Sequence, residues 1–141
     1  VLRLNTKQRC VSVQGKNCIL PPVEFSILLY FALRKRNFPC SGSCQDCGNE
    51  CFMELQTFFA ESDSLAELYR HIRISAAASS TTGILNLSAE NFRTYKAKLH
   101  RYLRRALGMD APCAEIASLG ARPHVRYGLR LPRSRIIVEQ G

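Results

Sequence analysis

Four cysteines in one short segment are the residues of this chain best suited to chemistry. Residues 40–51 read CSGSCQDCGNEC, which gives the spacing C-x3-C-x2-C-x3-C. Four thiolates bind Zn²⁺ tetrahedrally and form a closed structural site. Cys44 and Cys47 form the short C-x2-C pair that chelates one metal ion, and Cys40 and Cys51 complete the set. We therefore predict a structural zinc site at Cys40, Cys44, Cys47 and Cys51.

Three alternatives remain open for these cysteines. Two disulfides, such as Cys40–Cys51 with Cys44–Cys47, require an oxidising environment, whereas we predict a cytoplasmic protein. The first three cysteines also have the spacing of the iron–sulfur ligands of radical-SAM enzymes, but the sequence lacks the repeated strand–helix units of their barrel. Unligated thiols are the third alternative. The other cysteines have apolar neighbours and are predicted to be small buried hydrophobic residues: Cys10, Cys18 and Cys113.

The remaining polar residues form no recognisable catalytic arrangement. The sequence has no glycine-rich phosphate loop and no nucleophile motif. His71 and His100 are isolated, so we assign neither of them a catalytic role. Four acidic residues fall along predicted helical faces without a partner base and are expected on the solvated surface: Glu54, Glu61, Asp63 and Glu67. We therefore predict that this chain is not an enzyme.

Length and composition favour a single domain with its own core. The chain has 141 residues, of which 46% are apolar. No apolar run reaches the roughly 18 residues that span a bilayer, so we expect no membrane partner. The sequence begins at Val1 with a strand-like pattern and shows no signal peptide. We expect it to be a piece of a longer polypeptide with an upstream domain.

The positive charge is concentrated in the second part of the chain. Residues 1–91 contain nine Lys and Arg against eight Asp and Glu, a net charge of +1. Residues 92–141 contain eleven against three, a net charge of +8. Such an asymmetry indicates a polyanionic partner, DNA or RNA, although a basic surface kept for solubility is the alternative.

The elements before the basic part are strands followed by helices. Alternation over residues 1–20 predicts three short strands, with a turn at Gly15–Asn17. Pro21 and Pro22 precede a helix with an apolar stripe at helical spacing. Residues 50–61 and 64–73 have helical periods, and the small residues of 75–83 predict a loop or flexible segment.

A basic helix is the clearest element of the sequence. Ser88 begins it and Gly108 ends it. Its apolar stripe includes Tyr95 and Tyr102, which we expect in the core. Its cations are predicted nucleic-acid ligands, with Lys96 at the edge of the apolar stripe: Arg93, Lys96, Lys98, Arg101, Arg104 and Arg105. A hairpin of residues 116–119 and 125–131 follows, and its Arg126 and Arg130 are added to this set.

This order of elements resembles the winged-helix effector domain of OmpR/PhoB-type response regulators. Residues 20–25, LPPVEF, are similar to the Leu-Thr-x-x-Glu-Phe pattern that opens that family's first helix. Residues 103–108, LRRALG, are similar to the Leu-Arg-x-x-Leu ending of its recognition helix. Residues 127–131, YGLRL, are similar to its Gly-Tyr-Arg-Leu strand with Gly and Tyr exchanged. The resemblance implies an α+β winged helix-turn-helix fold, DNA binding and a regulatory role, with residues 40–51 as an insertion.

The cysteine cluster after a P-x-E-F helix is also similar to the C-terminal region of CRISPR-associated proteins with an upstream CARF-type or ring-nuclease domain. That resemblance implies an upstream domain that senses a cyclic oligonucleotide, and chemistry outside this chain. Our first hypothesis is a nucleic-acid-binding winged-helix domain over residues 1–141. The alternative is a non-catalytic interaction or homodimerisation domain of a larger CRISPR-associated or signalling protein.

Overall fold

The predicted α+β class is confirmed by the structure, which contains helices and two small sheets. The structure, a computed structural model, describes residues 1–37, 52–74, 88–120 and 124–139. The cysteine segment 40–51 and the segment 75–83 lie outside these ranges.

The first sheet contains the three strands predicted at the beginning of the chain, β1 (Leu2–Asn5), β2 (Cys10–Val13) and β3 (Lys16–Ile19). They form an antiparallel meander. The turn between β2 and β3 lies one residue earlier than predicted, because Gln14 and Gly15 are the residues with positive φ, at 52° and 78°. Two consecutive residues of positive φ match the twist of a tight hairpin.

The last strand of the chain completes this sheet. β7 (Ile136–Glu139) runs parallel to β1, and the strand order is β3-β2-β1-β7. No local pattern in the sequence indicates this pairing, which joins residues from the two ends of the described chain. The two ends of the described chain therefore lie side by side.

Helix α1 (Pro22–Asn37) is the central helix, and it is buried around most of its circumference. An all-round apolar surface is typical of a helix enclosed by other elements. α3 (Ser62–Ile74) packs against it and buries Leu65 and Tyr69. An ion pair between Arg34 of α1 and Glu61, at 3.0 Å, holds the end of α1 beside the start of α3.

The helix predicted for residues 50–61 is wrong in its first part. Met53–Glu54 is a short strand, β4, and the helix α2 covers only Leu55–Ala60. β4 pairs with a strand more than seventy residues later, where Met53 lies opposite Tyr127. Interstrand hydrogen bonds therefore override the local helical period here.

The predicted basic helix is present as α4 (Ala89–Leu107). Ser88 is its N-cap, and the Ser88 side chain accepts a hydrogen bond from the Asn91 N–H. Gly108 follows its last residue with a φ of 57°, a conformation that favours glycine. Four apolar residues of one face are buried: Phe92, Leu99, Leu103 and Leu107. A short 3-10 helix, Gly108–Cys113, continues the chain.

The second sheet contains β5 (Ala117–Leu119), β6 (Arg126–Gly128) and β4. β5 and β6 pair as the predicted hairpin, although β6 is shorter than the predicted 125–131. The strand order is β4-β6-β5, so the hairpin is joined to the strand between α1 and α2.

The core beneath these elements contains a cluster of aromatic rings. Phe58 of α2 lies 5.2 Å from Phe92 of α4 between ring centroids and stacks on Phe31 of α1 at 5.3 Å. Phe92 in turn contacts Tyr127 of β6 at 5.1 Å. Edge-to-face and stacked rings at these distances add to the apolar area they bury. The cluster thus connects α1, α2, α4 and the hairpin.

The three isolated cysteines do not share one environment. Cys18 is buried, as predicted. Cys10 is only half-buried, and Cys113 is exposed in the 3-10 helix, so the prediction of a buried side chain is wrong for Cys113. Its apolar neighbours in sequence include Ala114, which is buried, so the helical turn directs adjacent side chains to opposite sides.

Candidate nucleic-acid interface

One side of α4 presents cations to solvent. Arg93, Lys98, Arg101 and Arg105 are exposed, and we refer to these four residues as the α4 cationic face. Within the described ranges, no acidic side chain forms an ion pair with any of them. The side chains between them, Thr94 and Ala97, are small and exposed. A polyanion can therefore approach this part of the helix closely.

Two other predicted cations of α4 have different environments. Arg104 Nε donates to Glu115 Oε2 at 2.8 Å, and this contact raises the pKa of the guanidinium above its usual value. Lys96 is half-buried, and its Nζ lies 5.9 Å from the centre of the Tyr127 ring. Burial lowers the pKa of Lys96. Both residues connect α4 to the hairpin side of the molecule.

The two hairpin arginines have different environments. Arg126 is half-buried in β6 and lies directly opposite Glu54 of β4. Arg130 is exposed, and its guanidinium lies 5.9 Å from the centre of the Phe52 ring, which also contacts Lys35 near the end of α1. The structure therefore does not bring the eight predicted cations together as one uniform surface.

His100 fixes the start of the hairpin to α4. Its Nε2 accepts a hydrogen bond from the Ile116 N–H at 3.1 Å, one residue before β5. Burial, together with the charges of Lys96 and Arg104, lowers the pKa of His100 to about 4, although Glu115 acts in the opposite direction. The ring is therefore neutral at neutral pH and can act as an acceptor.

A pocket lies beside the α4 cationic face, at the beginning of α1. It has a volume of about 350 Å³ and is lined by Pro21, Glu24, Lys98, Arg101, Tyr102 and Arg105. Tyr102 is 37% exposed, so its predicted place in the core is wrong. Tyr102 lies at the margin of the apolar stripe, so the burial of its side chain depends on which elements pack beside α4.

Glu24 is the residue of this pocket that sequence reasoning missed as a site residue. Its position in the first turn of α1 identifies it only as favourable for the helix dipole. In the folded chain its side chain is nearly buried, with 6% exposure. Burial raises the pKa of Glu24, while its own backbone N–H and the charge of Lys98 act in the opposite direction.

Three of the four acidic residues expected on the solvated surface have basic neighbours among the described residues. Glu61 pairs with Arg34, and Glu67 lies 3.6 Å from Arg70 on α3. Glu54 Oε1 lies 3.3 Å from His124 Nδ1. His124 is largely exposed, and the pair joins β4 to the beginning of β6.

The predicted zinc ligands, Cys40, Cys44, Cys47 and Cys51, lie outside the described residues, so the zinc site stays a prediction from the sequence. Among the residues that the structure does describe, no cluster of His, Cys, Asp or Glu is suited to holding a metal ion. In the same ranges, no helix is long and apolar enough to cross a membrane.

Comparison with known protein families, with curated proteins and with solved structures gives no match to this chain.

Proposed function

We propose that this chain is a nucleic-acid-binding domain of the winged helix-turn-helix type, and that the α4 cationic face is its principal contact surface. The observation that carries the proposal is the set of four exposed cations on one helix, without ion-pair partners among the described residues. Lys and Arg in this arrangement neutralise phosphates and release the counterions condensed on a nucleic acid.

The order of the elements supports the winged-helix part of the proposal. In a winged helix-turn-helix, a basic recognition helix is followed by a β-hairpin. Here α4 is followed by β5 and β6, and the second of these strands also pairs with β4, which lies between the first two helices. His100 and the ion pair of Arg104 with Glu115 hold the hairpin in position relative to α4.

In this proposal the α4 cationic face makes the contacts with phosphates. Arg93, Lys98, Arg101 and Arg105 contact phosphates, and the small side chains of Thr94 and Ala97 let the helix approach a groove. Phosphate contacts position the protein, whereas sequence is read by contacts with base edges, for which the arginines have the appropriate donors. Arg104 contributes less, because its guanidinium already pairs with Glu115.

Fluorescence anisotropy with a short labelled duplex, made once of DNA and once of RNA, tests this function. We expect the logarithm of the association constant to fall linearly with the logarithm of the salt concentration, by about 0.9 per phosphate contacted. Arg101→Ala is expected to weaken binding of all sequences and to lower this slope by about 1. Arg104→Ala serves as the comparison on the same helix and is expected to have a smaller effect.

Arg101→Glu, which reverses the charge, should weaken duplex binding more than Arg101→Ala does, and Lys7→Glu is its matched control. It changes the net charge by the same amount on an exposed residue between β1 and β2, outside the proposed interface. Equal losses for the two variants would refute a localised α4 interface and leave only nonspecific attraction.

The dimerisation alternative is tested in the same samples by sedimentation, since a stable dimer that covers α4 and does not bind the duplex would overturn the proposal.

A further inference from the structure

The pocket between α1 and α4 has a composition that phosphate binding alone does not explain. Three of its six lining residues are cations, but its wall also contains the nearly buried carboxyl of Glu24 and the ring of Tyr102. An ionised carboxyl in the wall would repel a phosphate, so it does not contribute to binding a phosphate backbone. The pocket therefore suits a ligand with an anionic group, a flat ring and hydrogen-bond donors.

The cations belong to the rim of the pocket. Lys98, Arg101 and Arg105 are exposed residues of the α4 cationic face, and they also line the pocket. A strand that follows this face therefore passes the pocket opening. Its phosphates would be held within reach of the same three side chains.

Tyr102 provides a stacking surface. Its side chain is 37% exposed and lies on the pocket side of α4, whereas the buried aromatic rings of the core are covered by their neighbours. Stacking of a base on an exposed aromatic ring is available only to a base that has left its own helix.

Glu24 provides the acceptor. A carboxylate has two oxygens that accept hydrogen bonds and no donor when ionised. Glu24 lines the pocket although its side chain is only 6% exposed, so a hydrogen bond that a ligand donates to it would be shielded from water. The Watson–Crick edge of guanine has two neighbouring N–H donors, which match the two oxygens of one carboxylate.

We propose that this pocket binds one unpaired nucleotide of the nucleic acid, with its phosphate at the rim, its base against Tyr102 and its donor edge toward Glu24, and that it prefers guanine. The inference deepens the proposed function and rests on it. A base within a duplex is excluded from this role because its Watson–Crick edge is occupied by its partner.

The test compares a blunt duplex with the same duplex carrying a short unpaired tail of guanine or of cytosine, using the full chain and fluorescence anisotropy. We expect the guanine tail to bind about tenfold more tightly than the blunt duplex, as expected for one stacked and hydrogen-bonded base. The cytosine tail should gain less. Tyr102→Ala should abolish the gain from both tails, and Glu24→Gln should abolish the preference for guanine over cytosine.

Arg93→Ala is the matched control, because this residue belongs to the α4 cationic face but not to the pocket. It should weaken binding of blunt and tailed duplexes by the same factor. Tyr102→Leu keeps an apolar side chain of high helix propensity but removes the ring, so it should abolish the gain from both tails as Tyr102→Ala does. The inference is overturned if the wild-type chain binds tailed and blunt duplexes equally, an outcome that leaves the duplex interface intact. Absence of salt-dependent binding to the blunt duplex would overturn the proposed function instead.

Discussion

His100 and Arg104 lie four residues apart on α4, and both connect this helix to the start of the hairpin. His100 accepts the Ile116 N–H, and Arg104 pairs with Glu115. Both contacts end on two adjacent residues just before β5. The two side chains belong to the same helix as the α4 cationic face, but their contacts hold the hairpin against the helix.

The neutral state of His100 makes the stability of the fold depend on pH. In the unfolded chain its pKa is near 6.5, whereas in the folded chain it is about 4. Between these values the unfolded state binds more protons, so the free energy of unfolding falls as the pH decreases from about 6.5 to about 4. Thermal unfolding should show a melting temperature that decreases as the pH falls across this range. His100→Gln keeps an acceptor but does not titrate, so the melting temperature of this variant should depend less on pH.

Proton NMR supplies the direct measurement of this pKa. The variant identifies the His100 signal among the three histidines of the chain. We expect that signal to titrate near pH 4. A His100 pKa near 6.5, or an unchanged pH dependence in His100→Gln, would contradict the buried acceptor role.

Helix α2 is held in place by residues from distant parts of the chain, through the aromatic cluster. Phe58 of α2 contacts rings of α1 and α4, and its side chain is 1% exposed. α2 has only six residues and no side-chain hydrogen bond at its N-cap, so its own helix propensity contributes little. Packing of Phe58 is therefore what anchors this helix.

Phe58→Ala should lower the free energy of unfolding by about 3 to 5 kcal/mol, since it removes a fully buried ring and leaves a cavity. The neighbouring Phe59 is the matched control, because it is the same residue on the same helix but is only half-buried. Urea unfolding followed by circular dichroism measures both variants. Equal losses for the two would show that the cluster does not anchor α2.

The elements that could be predicted from the sequence are those defined by local patterns. α4 has a capping serine, a closing glycine and an apolar stripe within one stretch of chain, so its limits and its exposed cations follow from the sequence. β4 could not be predicted, because two residues become a strand only by pairing with β6. The pocket could not be predicted for the same reason, since Glu24 and Tyr102 come together only when α1 packs on α4. The ion pair of Arg104 with Glu115 could not be predicted either, because nothing in the sequence distinguishes Arg104 from Arg101 as the partner of that acid.

At the scale of the whole molecule, the first and last described strands pair with each other in one sheet. β1 and β7 pair in parallel, and an ion pair between Arg3 and Glu139, at 2.9 Å, lies on their outer side. On the inner side Leu2 lies opposite Ile136, and both side chains are buried. Because the pairing joins the first and last described elements, it closes a long loop, and contacts elsewhere in the fold must offset the entropic cost of that closure.

Ile136→Ala should therefore destabilise the whole domain, with an expected loss of about 2 to 5 kcal/mol in the free energy of unfolding. Ile137→Ala is the matched control, because the adjacent side chain lies opposite Arg3 on the outer side and is only half-buried. Its loss should be about 1 kcal/mol or less. Urea unfolding followed both by circular dichroism and by the fluorescence of the tyrosines should show one coincident transition in both variants. Two outcomes would contradict this expectation. One is an Ile136→Ala variant as stable as the wild-type chain, and the other is loss of the first sheet in a separate, earlier transition. Either outcome would show that β7 does not unfold cooperatively with the rest of the domain.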